Sequence, residues 1–373
     1  MRVGIIAYGL DRRLTGIGRY IIEITRALAA LPAGPEITLL AAGGLGELEA
    51  SGLPAVPLRL GKYLPALMTV GSAQIPGIAR RHQLDIVHDP VGVTPFMFGT
   101  GPAKSIVTIH DSIPWSFPGV STLLDTLIYR RWLPYAVRRV DAVATVSAFS
   151  REDLAYHLNI PPEKIGVVYG AADPSFRPRD KDAIARVREQ YKLPEDYILY
   201  VGSIETRKNL IGALEAFHRL RVQNVSHKLV IVGPAKWRYG EIMETFDRLD
   251  LTDHVIFTGY VAQADLPVIY SGASLFVFPS LYEGFGLPPL EAMASGVPVV
   301  TSTSSSLPEV VNDAALIVNP KDTDAIADAM YTVLKDPQLQ ETMRQKGLER
   351  AQVFSWERSA HLMMDIYRQV LNQ

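Results

Sequence analysis

Cysteine is absent from the 373-residue chain, which excludes disulfides, thiolate metal sites and a thiol nucleophile. An excess of either charge is also lacking, since 37 Lys and Arg stand against 39 Asp and Glu. The resulting net charge of −2 argues against a basic nucleic-acid-binding protein. No uncharged apolar run approaches the roughly 20 residues that a membrane-spanning helix needs. We therefore expect a soluble, cytoplasmic protein with no nucleic-acid partner, attached at most to a membrane surface.

What the chain does contain is a repeated alternation of short β-branched runs, glycine- or proline-bearing turns and amphipathic stretches. One series of strands is predicted at residues 3–7, 37–41, 85–88, 105–109, 142–146 and 164–168. A second series is predicted at 197–201, 228–232, 255–257, 275–278 and 297–301. Because these runs are almost uniformly apolar, they indicate parallel strands that are covered by helices on both faces.

The segment 170–178 separates the two series. It holds two prolines and a glycine within nine residues, which disfavours a continuing helix or a central strand. Ligands of open α/β sheets bind outside the carboxyl ends of the strands, and the motifs described below follow predicted strands. We expect an α/β protein of two doubly wound, Rossmann-like domains that face a central cleft.

Adjacent basic residues, Arg207 and Lys208, follow the predicted strand 197–201 and Gly202. Such a loop can neutralise a diphosphate while the N–H groups of the next helix, predicted at 210–221, point towards it. An ordinary solvated basic turn is the alternative, and it is the more common explanation of an isolated Arg-Lys pair.

A glycine-rich loop lies between two acids, Glu283 and Glu291, directly after the predicted strand 275–278. A carboxylate can accept hydrogen bonds from hydroxyls of a ribose or hexose, and glycines let backbone N–H groups approach phosphate closely. Two consecutive prolines suit the first turn of a helix, which places Glu291 in that turn. A solvated loop acid and an acid that complements the helix dipole are the alternatives. Neither explains the glycines on both sides of Phe285.

His110 and Asp111 follow the predicted strand 105–109. A histidine at a strand end can hydrogen-bond a sugar hydroxyl or a developing charge, and the adjacent carboxylate can fix its tautomer or contact an acceptor. A lone histidine is more often structural, and His88 with Asp89 forms a second such pair. We rank His110 first, because a proline follows Asp89 directly.

Gly16 and Gly18 precede a helix predicted from residue 20. Glycines at a helix N-terminus can admit a phosphate or an acceptor. The spacing is not the Gly-x-Gly-x-x-Gly pattern of dinucleotide-binding proteins, because residue 21 is isoleucine. A dehydrogenase is therefore disfavoured.

Four arginines, at positions 130, 131, 138 and 139, lie around Trp132 and Tyr135. Such a stretch can face anionic lipid headgroups, although a plain surface helix is the more common explanation. The sequence therefore allows peripheral contact with the inner membrane surface.

Together these motifs resemble those of retaining glycosyltransferases of the GT-B fold, specifically glycosyltransferase family 4. The similarity runs through nearly the whole chain, and the Glu-x7-Glu segment with its glycines is its most specific element. It implies an acceptor domain at 1–172, a nucleotide-sugar donor domain at 173–354 and a final helix, 355–373, that returns to the first domain. The chain departs from many members at Thr15, which stands where they have a glycine.

The resemblance assigns roles to the matching residues. The catalytic set is His110, Arg207, Lys208 and Glu283. The donor-binding set is Gly16, Gly18, Gly202, Arg207, Lys208, Glu283, Phe285, Gly286, Leu287 and Glu291. Within these sets the two basic residues would hold the diphosphate, Glu291 the ribose, and Glu283 and His110 the donor sugar. Asp111 is the candidate for acceptor contact.

The implied reaction moves a hexose, expected to be mannose from GDP-mannose, to a glycan or lipid-linked saccharide in polysaccharide assembly. The family implies retention of configuration and no metal or cofactor, because basic side chains and a helix N-terminus stabilise the leaving diphosphate. Three alternatives stay open. These are another donor such as dTDP-rhamnose or UDP-glucose, a sugar-nucleotide epimerase on the same fold, and a non-catalytic nucleotide-sugar-binding protein.

Overall fold

The computed structural model describes residues 1–11, 16–117, 122–234 and 239–372. The chain divides into two compact units. Unit 1 comprises Met1–Gly170 with Ser355–Gln373, and unit 2 comprises Ala171–Phe354. The division after Gly170 falls at the start of the glycine- and proline-bearing segment in which we expect the boundary.

Unit 1 is built on a seven-stranded sheet in which all neighbouring strands are parallel. Its strands are β1 (Arg2–Tyr8), β2 (Glu36–Ala42), β3 (Ala55–Pro57), β4 (Ile86–Asp89), β5 (Lys104–Thr108), β6 (Ala142–Thr145) and β7 (Ile165–Val167). Their spatial order is β3-β2-β1-β4-β5-β6-β7. The order therefore reverses between β1 and β4.

The helices that follow these strands are α1 (Gly16–Ala30), α2 (Leu64–Ala66), α3 (Ser72–Arg81), α4 (Ile113–Ser116), α5 (Leu123–Leu127), α6 (Leu133–Ala136) and α7 (Ala148–Leu158). Turns of π-helix, Leu67–Gly71 and Ile128–Trp132, join α2 to α3 and α5 to α6. None of the helices in the described ranges is both long and apolar enough to cross a bilayer.

Unit 2 repeats the plan with a six-stranded parallel sheet in the order β10-β9-β8-β11-β12-β13. Its strands are β8 (Tyr197–Val201), β9 (Lys228–Val232), β10 (Val255–Gly259), β11 (Leu275–Phe278), β12 (Val299–Ser302) and β13 (Leu316–Val318). Its helices are α8 (Lys181–Tyr191), α9 (Leu210–Val222), α10 (Tyr239–Arg248), α11 (Leu266–Ser271), α12 (Leu287–Ala294), α13 (Leu307–Val311), α14 (Thr323–Lys335) and α15 (Pro337–Gln352).

The prediction of two doubly wound α/β domains is confirmed. Every residue of β8 and β11 is buried, as expected for parallel strands covered on both faces. The sequence patterns missed β3 and β13, which are three-residue strands at sheet edges, although they predicted β7, an edge strand of the same length. Two helices meet at Asp336, which ends α14 and caps α15 by accepting the N–H of Leu339 at 2.9 Å.

The last helix, α16 (Trp356–Leu371), belongs to unit 1. Leu362 and Ile366 on this helix are half-buried. The large buried side chains of this helix are those of Trp356, Met363, Met364, Tyr367 and Val370. The hydroxyl of Tyr367 is 2.8 Å from Nδ1 of His88, so this helix is tied to the end of β4.

Candidate active site

The donor-site candidates lie where two neighbouring strands of the second sheet, β8 and β11, end. The sheet continues with β9 on one side of this pair and β12 on the other, so the strand order reverses here. Open α/β sheets bind ligands at such a switch point, outside the carboxyl ends of the strands. The loops that leave β8 and β11 carry Arg207, Lys208 and Glu283.

Arg207 is buried between two carboxylates. It lies in a short 3₁₀ helix, Thr206–Lys208, and only 7% of its surface is exposed. Nη2 is 2.6 Å from Oε1 of Glu205, and Nη1 is 3.0 Å from Oε1 of Glu283. Nη1 also donates to the carbonyl of Tyr282. Because the Arg207 side chain is buried and paired with carboxylates, it is not part of a solvated basic turn. A charge is buried only where it is paired.

The backbone of Arg207 also joins the two loops. The N–H of Leu281 donates to the Arg207 carbonyl at 2.9 Å. The hydroxyl of Ser280 is 3.3 Å from the same carbonyl and 2.9 Å from Oε1 of Glu283. A shift of either loop would therefore move Glu283 relative to Arg207.

Lys208 has one carboxylate partner in the part of the chain that the structure describes. Its Nζ is 3.6 Å from Oε1 of Glu283 and 5.0 Å from the centre of the Phe278 ring. The side chain rests on Gly202, where an added Cβ would lie 3.0 Å from Cδ of Lys208. Because an ammonium group has three donors, Lys208 retains capacity for an anionic ligand. Gly202 serves the site through this packing.

Glu283 is ionised although only 13% of its side chain is exposed. Burial opposes the charged form, but Arg207 and Lys208, helped by the Ser280 hydrogen bond, hold the pKa of Glu283 below its ordinary value. The N–H of Glu283 donates to Oγ of Ser305 at 2.7 Å, and its carbonyl accepts from Oγ of Ser306 at 2.9 Å. An ionised carboxylate fixed in this way can accept hydrogen bonds from sugar hydroxyls.

Gly286 allows the glycine-rich loop to enter α12. Its φ is +123°, and an added Cβ would lie 2.9 Å from Cδ2 of Leu307, so both conformation and space require glycine. The ring of Phe285 is buried against Phe354, with centroids 5.6 Å apart. The backbone of Phe285, Gly286 and Leu287, not the ring, is therefore the part that can meet a ligand.

Glu291 lies just beyond the first turn of α12, whereas the sequence pattern places it within that turn. The helix begins at Leu287, ahead of the two prolines, so Glu291 is its fifth residue and the prediction of a first-turn position is wrong. Its Oε2 accepts a hydrogen bond from the hydroxyl of Tyr270 at 3.1 Å. Burial, together with this carboxylate, raises the pKa of Tyr270. The ion-pair cluster thus joins Arg207, Lys208 and Glu283, whereas Glu291 is held from the neighbouring helix α11.

His110 lies just beyond β5 in unit 1. Its Nε2 is 2.8 Å from the carbonyl oxygen of Pro90. Because a carbonyl can only accept, Nε2 carries the proton and Nδ1 the lone pair of a neutral ring. Burial lowers the pKa of His110 to about 4, so the imidazole is neutral at pH 7. The ring of Tyr20 stands edge-on to it, with centroids 4.9 Å apart.

His88 has a structural role, which agrees with ranking His110 above it. Its Nδ1 is 2.8 Å from the Tyr367 hydroxyl, and its Nε2 is 2.9 Å from Oγ1 of Thr108. Burial, and secondarily the nearby His110, lower the pKa of His88 to about 3. Both ring nitrogens therefore serve the packing of unit 1.

The remaining predicted residues of unit 1 have local roles in the structure. Oδ1 of Asp111 accepts the N–H of Ile113 at 3.0 Å, which turns the chain into α4. Gly16 is the exposed first residue of α1, and Gly18 is buried in its first turn. Thr15 lies outside the described residues. The contacts expected of these residues with acceptor and diphosphate stay predictions.

No group of three or more His, Asp and Glu side chains in the described ranges could hold a metal ion. Asp-x-Asp tripeptides do occur at 180–182 and 322–324. In each, the first aspartate caps a helix: Asp180 accepts the N–H of Ala183 at 2.8 Å, and Asp322 that of Ala325 at 2.9 Å. These carboxylates are therefore used by the fold.

Both halves of the chain match known protein families. Residues 14–176 match the family described as Glycosyltransferase Family 4, and residues 183–350 match Glycosyl transferases group 1. O-antigen chain mannosyltransferase B of Escherichia coli is 30% identical over 370 residues, which cover 95% of this chain and 96% of that protein. The chain belongs to glycosyltransferase family 4. The two matched regions follow the two sheets of this glycosyltransferase.

More distant relatives agree with this assignment. MMP alpha-(1->4)-mannosyltransferase of Mycolicibacterium hassiacum is 26% identical over 432 residues, covering 100% of this glycosyltransferase and 98% of that protein. Among solved structures, Anabaena HepE in complex with UDP and glucose matches with a TM-score of 0.79 at 18% identity, over 98% of this chain and 99% of that one. At this identity the match shows the fold, and it confirms the predicted GT-B class.

Sequence reasoning missed the residues that hold the cluster of this glycosyltransferase in place. They are Glu205, Tyr270, Ser280, Ser305 and Ser306. The serine run 304–306 directly after a predicted strand was a usable signal, because hydroxyls often cap loop backbone groups. Tyr270 gave no signal, since its contact with Glu291 joins two different helices.

Proposed function

We propose that this glycosyltransferase moves a mannosyl residue from GDP-mannose to a glycan or lipid-linked saccharide, with retention of configuration and without a metal ion. Two relatives, from Escherichia coli and Mycolicibacterium hassiacum, are named as mannosyltransferases, which supports mannose. The O-antigen in the name of the first supports a role in polysaccharide assembly. The complex of Anabaena HepE with UDP and glucose supports a nucleotide-sugar donor.

The observation that carries the proposal is the cluster of Arg207, Lys208 and Glu283 at the switch point of the second sheet. In the reaction the bond between the anomeric carbon and the diphosphate oxygen breaks, and its electron pair leaves with the diphosphate. The acceptor hydroxyl oxygen bonds to the anomeric carbon on the same face, and its proton passes to the departing phosphate. Arg207 and Lys208 would stabilise the negative charge that develops there, because fixed positive charge in a partly dry site acts strongly.

Three further groups would hold hydroxyls of the donor in this proposal. The ionised carboxylate of Glu283 would accept from the sugar, and the carboxylate of Glu291 would accept from the ribose. His110 is neutral and would offer Nδ1 to a sugar hydroxyl. These contacts would orient the anomeric carbon towards the acceptor hydroxyl. Such orientation lowers the entropic part of the activation free energy of transfer.

A donor screen tests the proposal. The purified protein is given GDP-mannose, dTDP-rhamnose or UDP-glucose, with and without a panel of mannose-terminated acceptors, in the presence of EDTA. We expect transfer from GDP-mannose in EDTA, and proton NMR of the product should show the anomeric configuration of the donor. Inversion, or activity that EDTA abolishes and a divalent cation restores, would contradict the mechanism. Conversion of a donor without acceptor would indicate an epimerase, and binding without any turnover a non-catalytic protein.

A second part of the proposal is that unit 1 works in the cytoplasm against the inner membrane surface. Nine of the 14 exposed large hydrophobic residues among those described fall within residues 58–139. The same stretch carries nine Lys and Arg against four Asp and Glu, although the whole chain has a net charge of −2. Leu123 and Leu127 on α5 are 86% and 60% exposed, and the four arginines follow. Exposed apolar residues beside basic ones bind anionic bilayers.

Vesicle flotation tests the membrane contact. We expect the protein to float with vesicles of phosphatidylcholine plus phosphatidylglycerol, and to do so less with phosphatidylcholine alone. The double change Leu123→Ser and Leu127→Ser should abolish flotation, because it removes apolar area from the helix. Val222→Ser, at a 73% exposed residue of unit 2, is the control. Equal flotation of both variants, or none by the unchanged protein, would contradict the contact.

A further inference from the structure

Asp89 is a fully buried carboxylate that the proposed reaction does not use. It is the last residue of β4. In the described part of the chain no Lys or Arg is paired with it, and its oxygens face backbone donors instead. Oδ1 accepts the N–H of Val91 at 3.0 Å, and Oδ2 accepts that of Thr94 at 2.6 Å. Burying an acid without a counter-ion costs folding free energy. The hydrogen bonds of Asp89 offset part of this cost and fix the backbone that follows it.

The carboxylate folds residues 90–94 into a tight loop. Gly92 and Thr94 both have left-handed backbone conformations, with φ of +91° and +50°. An added Cβ at Gly92 would lie 3.0 Å from the carbonyl oxygen of Thr108, so the loop passes directly over the end of β5. On its outer side, Nε1 of Trp132 donates to the carbonyl of Thr94 at 3.1 Å. The loop is thus held by Asp89 from within and by Trp132 from outside.

The same loop presents the carbonyl that binds His110. Pro90 is the first residue after Asp89, and its carbonyl accepts the Nε2 proton of His110 at 2.8 Å. On another side the imidazole contacts the edge of Tyr20 at 4.9 Å, and Tyr20 packs on Trp356 at 5.7 Å between centroids. The ring is therefore confined by packing, whereas its tautomer depends on a single carbonyl.

We propose that Asp89 is a positioning residue for His110. By accepting the backbone N–H groups of Val91 and Thr94, it orients the Pro90 carbonyl towards Nε2. That carbonyl keeps the proton on Nε2 and leaves Nδ1 as an acceptor for a hydroxyl of the donor. The inference rests on the proposed function only for the last step, the contact between His110 and the sugar.

A tautomer measurement tests the positioning without any substrate. Asp89→Asn keeps the shape of the side chain but turns an N–H group towards backbone donors. With 15N-labelled histidine, we expect the NMR shifts of His110 to show one tautomer in the unchanged protein and a mixture in Asp89→Asn. The matched control is Asp85→Asn near the amino end of the same strand, where Oδ2 accepts the N–H of Arg2 at 2.7 Å. An unaltered tautomer in folded Asp89→Asn would overturn the inference.

A double-mutant cycle then tests the consequence for transfer. Asp89→Asn should lower kcat/KM by about tenfold to a hundredfold, because small misplacement of a contact group is costly, while Asp85→Asn should not. In a His110→Ala background, Asp89→Asn should cause no further loss. Losses that multiply would overturn the inference. An altered tautomer combined with full activity of His110→Ala would support the positioning and contradict only the role proposed for His110.

Trp132→Phe covers the case in which Asp89→Asn does not fold. It removes the outer hydrogen bond of the loop and leaves the buried acid in place. We expect His110 to keep one tautomer in this variant, because Asp89 still holds the loop from within. A mixture of tautomers in folded Trp132→Phe would show that the contact from Trp132, and not Asp89, sets the Pro90 carbonyl, and this result would overturn the inference.

Discussion

The two units place ionisable groups just beyond the carboxyl ends of their parallel strands, but they stabilise these groups differently. In unit 2, Arg207 and Lys208 are paired with the carboxylates of Glu205 and Glu283. In unit 1, burial keeps His110 neutral, and backbone N–H groups stabilise the carboxylate of Asp89.

This difference indicates which ligand atoms each site can bind. Arg207 and Lys208 are paired with carboxylates, and they can give up these pairings to bind the oxygens of a diphosphate. A neutral imidazole with a fixed lone pair suits an uncharged hydroxyl, because it gains a hydrogen bond without desolvating an ion. The comparison predicts that substitutions in unit 2 change the handling of charge and that those in unit 1 change orientation.

The largest effect is expected from the two cations. Lys208→Gln and Arg207→Gln should each lower kcat by about a hundredfold to a thousandfold, as loss of a fixed electrostatic group at a transition state does. Their stabilities should differ. Arg207→Gln removes the buried cation that pairs with both Glu205 and Glu283 and should cost about 3 kcal/mol of unfolding free energy, whereas Lys208→Gln should cost little.

Steady-state kinetics and urea unfolding would measure both quantities. Lys346→Gln is the control, because Lys346 forms an exposed pair with Asp313 at 2.8 Å, and exposed pairs contribute little. Near-normal turnover in both variants would show that these charges do not serve catalysis. Equal losses of unfolding free energy in the two variants would contradict the larger cost that we expect from the burial of Arg207.

A smaller effect is expected from Glu205, the carboxylate that partners Arg207 at 2.6 Å. Glu205→Gln keeps a hydrogen-bond acceptor but removes a negative charge from the neighbourhood of the proposed diphosphate. A unit charge about 8 Å away at an effective dielectric of about 20 is worth about 2 kcal/mol, so GDP should bind about thirtyfold tighter. Isothermal titration calorimetry measures this change.

Glu215→Gln in the same unit is the matched control, because Glu215 pairs with Arg248 at 3.1 Å on the surface. Weaker binding of GDP by Glu205→Gln would mean that Glu205 chiefly holds Arg207 in place. Unit 2 would then resemble unit 1 in using its acid for orientation.

The smallest effect is the response of unit 1 to acid. The pKa values of His88 and His110 are lowered to about 3 and about 4 from an ordinary 6.5. Between these values and 6.5 the unfolded chain binds more protons, so stability falls as pH falls. Each histidine contributes at most about 1.4 kcal/mol per pH unit. Burial raises the pKa of Asp89 from 3.8 to about 6. Between these two pH values the folded chain binds the extra proton, so Asp89 makes stability rise as pH falls.

In unit 2 the lowered pKa of Glu283 also makes stability fall with pH, but only below the ordinary value of 4.5. Region-resolved hydrogen exchange from pH 7 to pH 5 should therefore show loosening in unit 1 before unit 2. His88→Asn should flatten the pH dependence of unit 1. Loosening that starts in unit 2 would contradict the contrast between the units.

The sequence by itself determined the fold class, because apolar runs of strand length alternate with amphipathic stretches in both halves of the chain. It also determined which loops are chemically distinctive, since Arg207, Lys208 and the glycine-rich loop before Glu291 directly follow apolar strands. These are local properties, and composition and spacing express them. Two short edge strands, β3 and β13, escaped, whereas the equally short β7 was predicted within the stretch 164–168.

Only the tertiary structure decided which of these groups act together. Arg207 meets Glu283, 76 residues away in the sequence, because the order of parallel strands places the ends of β8 and β11 side by side. The same holds in unit 1, where the ends of β4 and β5 bring the Pro90 carbonyl to His110 and enclose Asp89. Burial, pairing and tautomer arise from neighbours that are distant along the chain, and no local pattern encodes them.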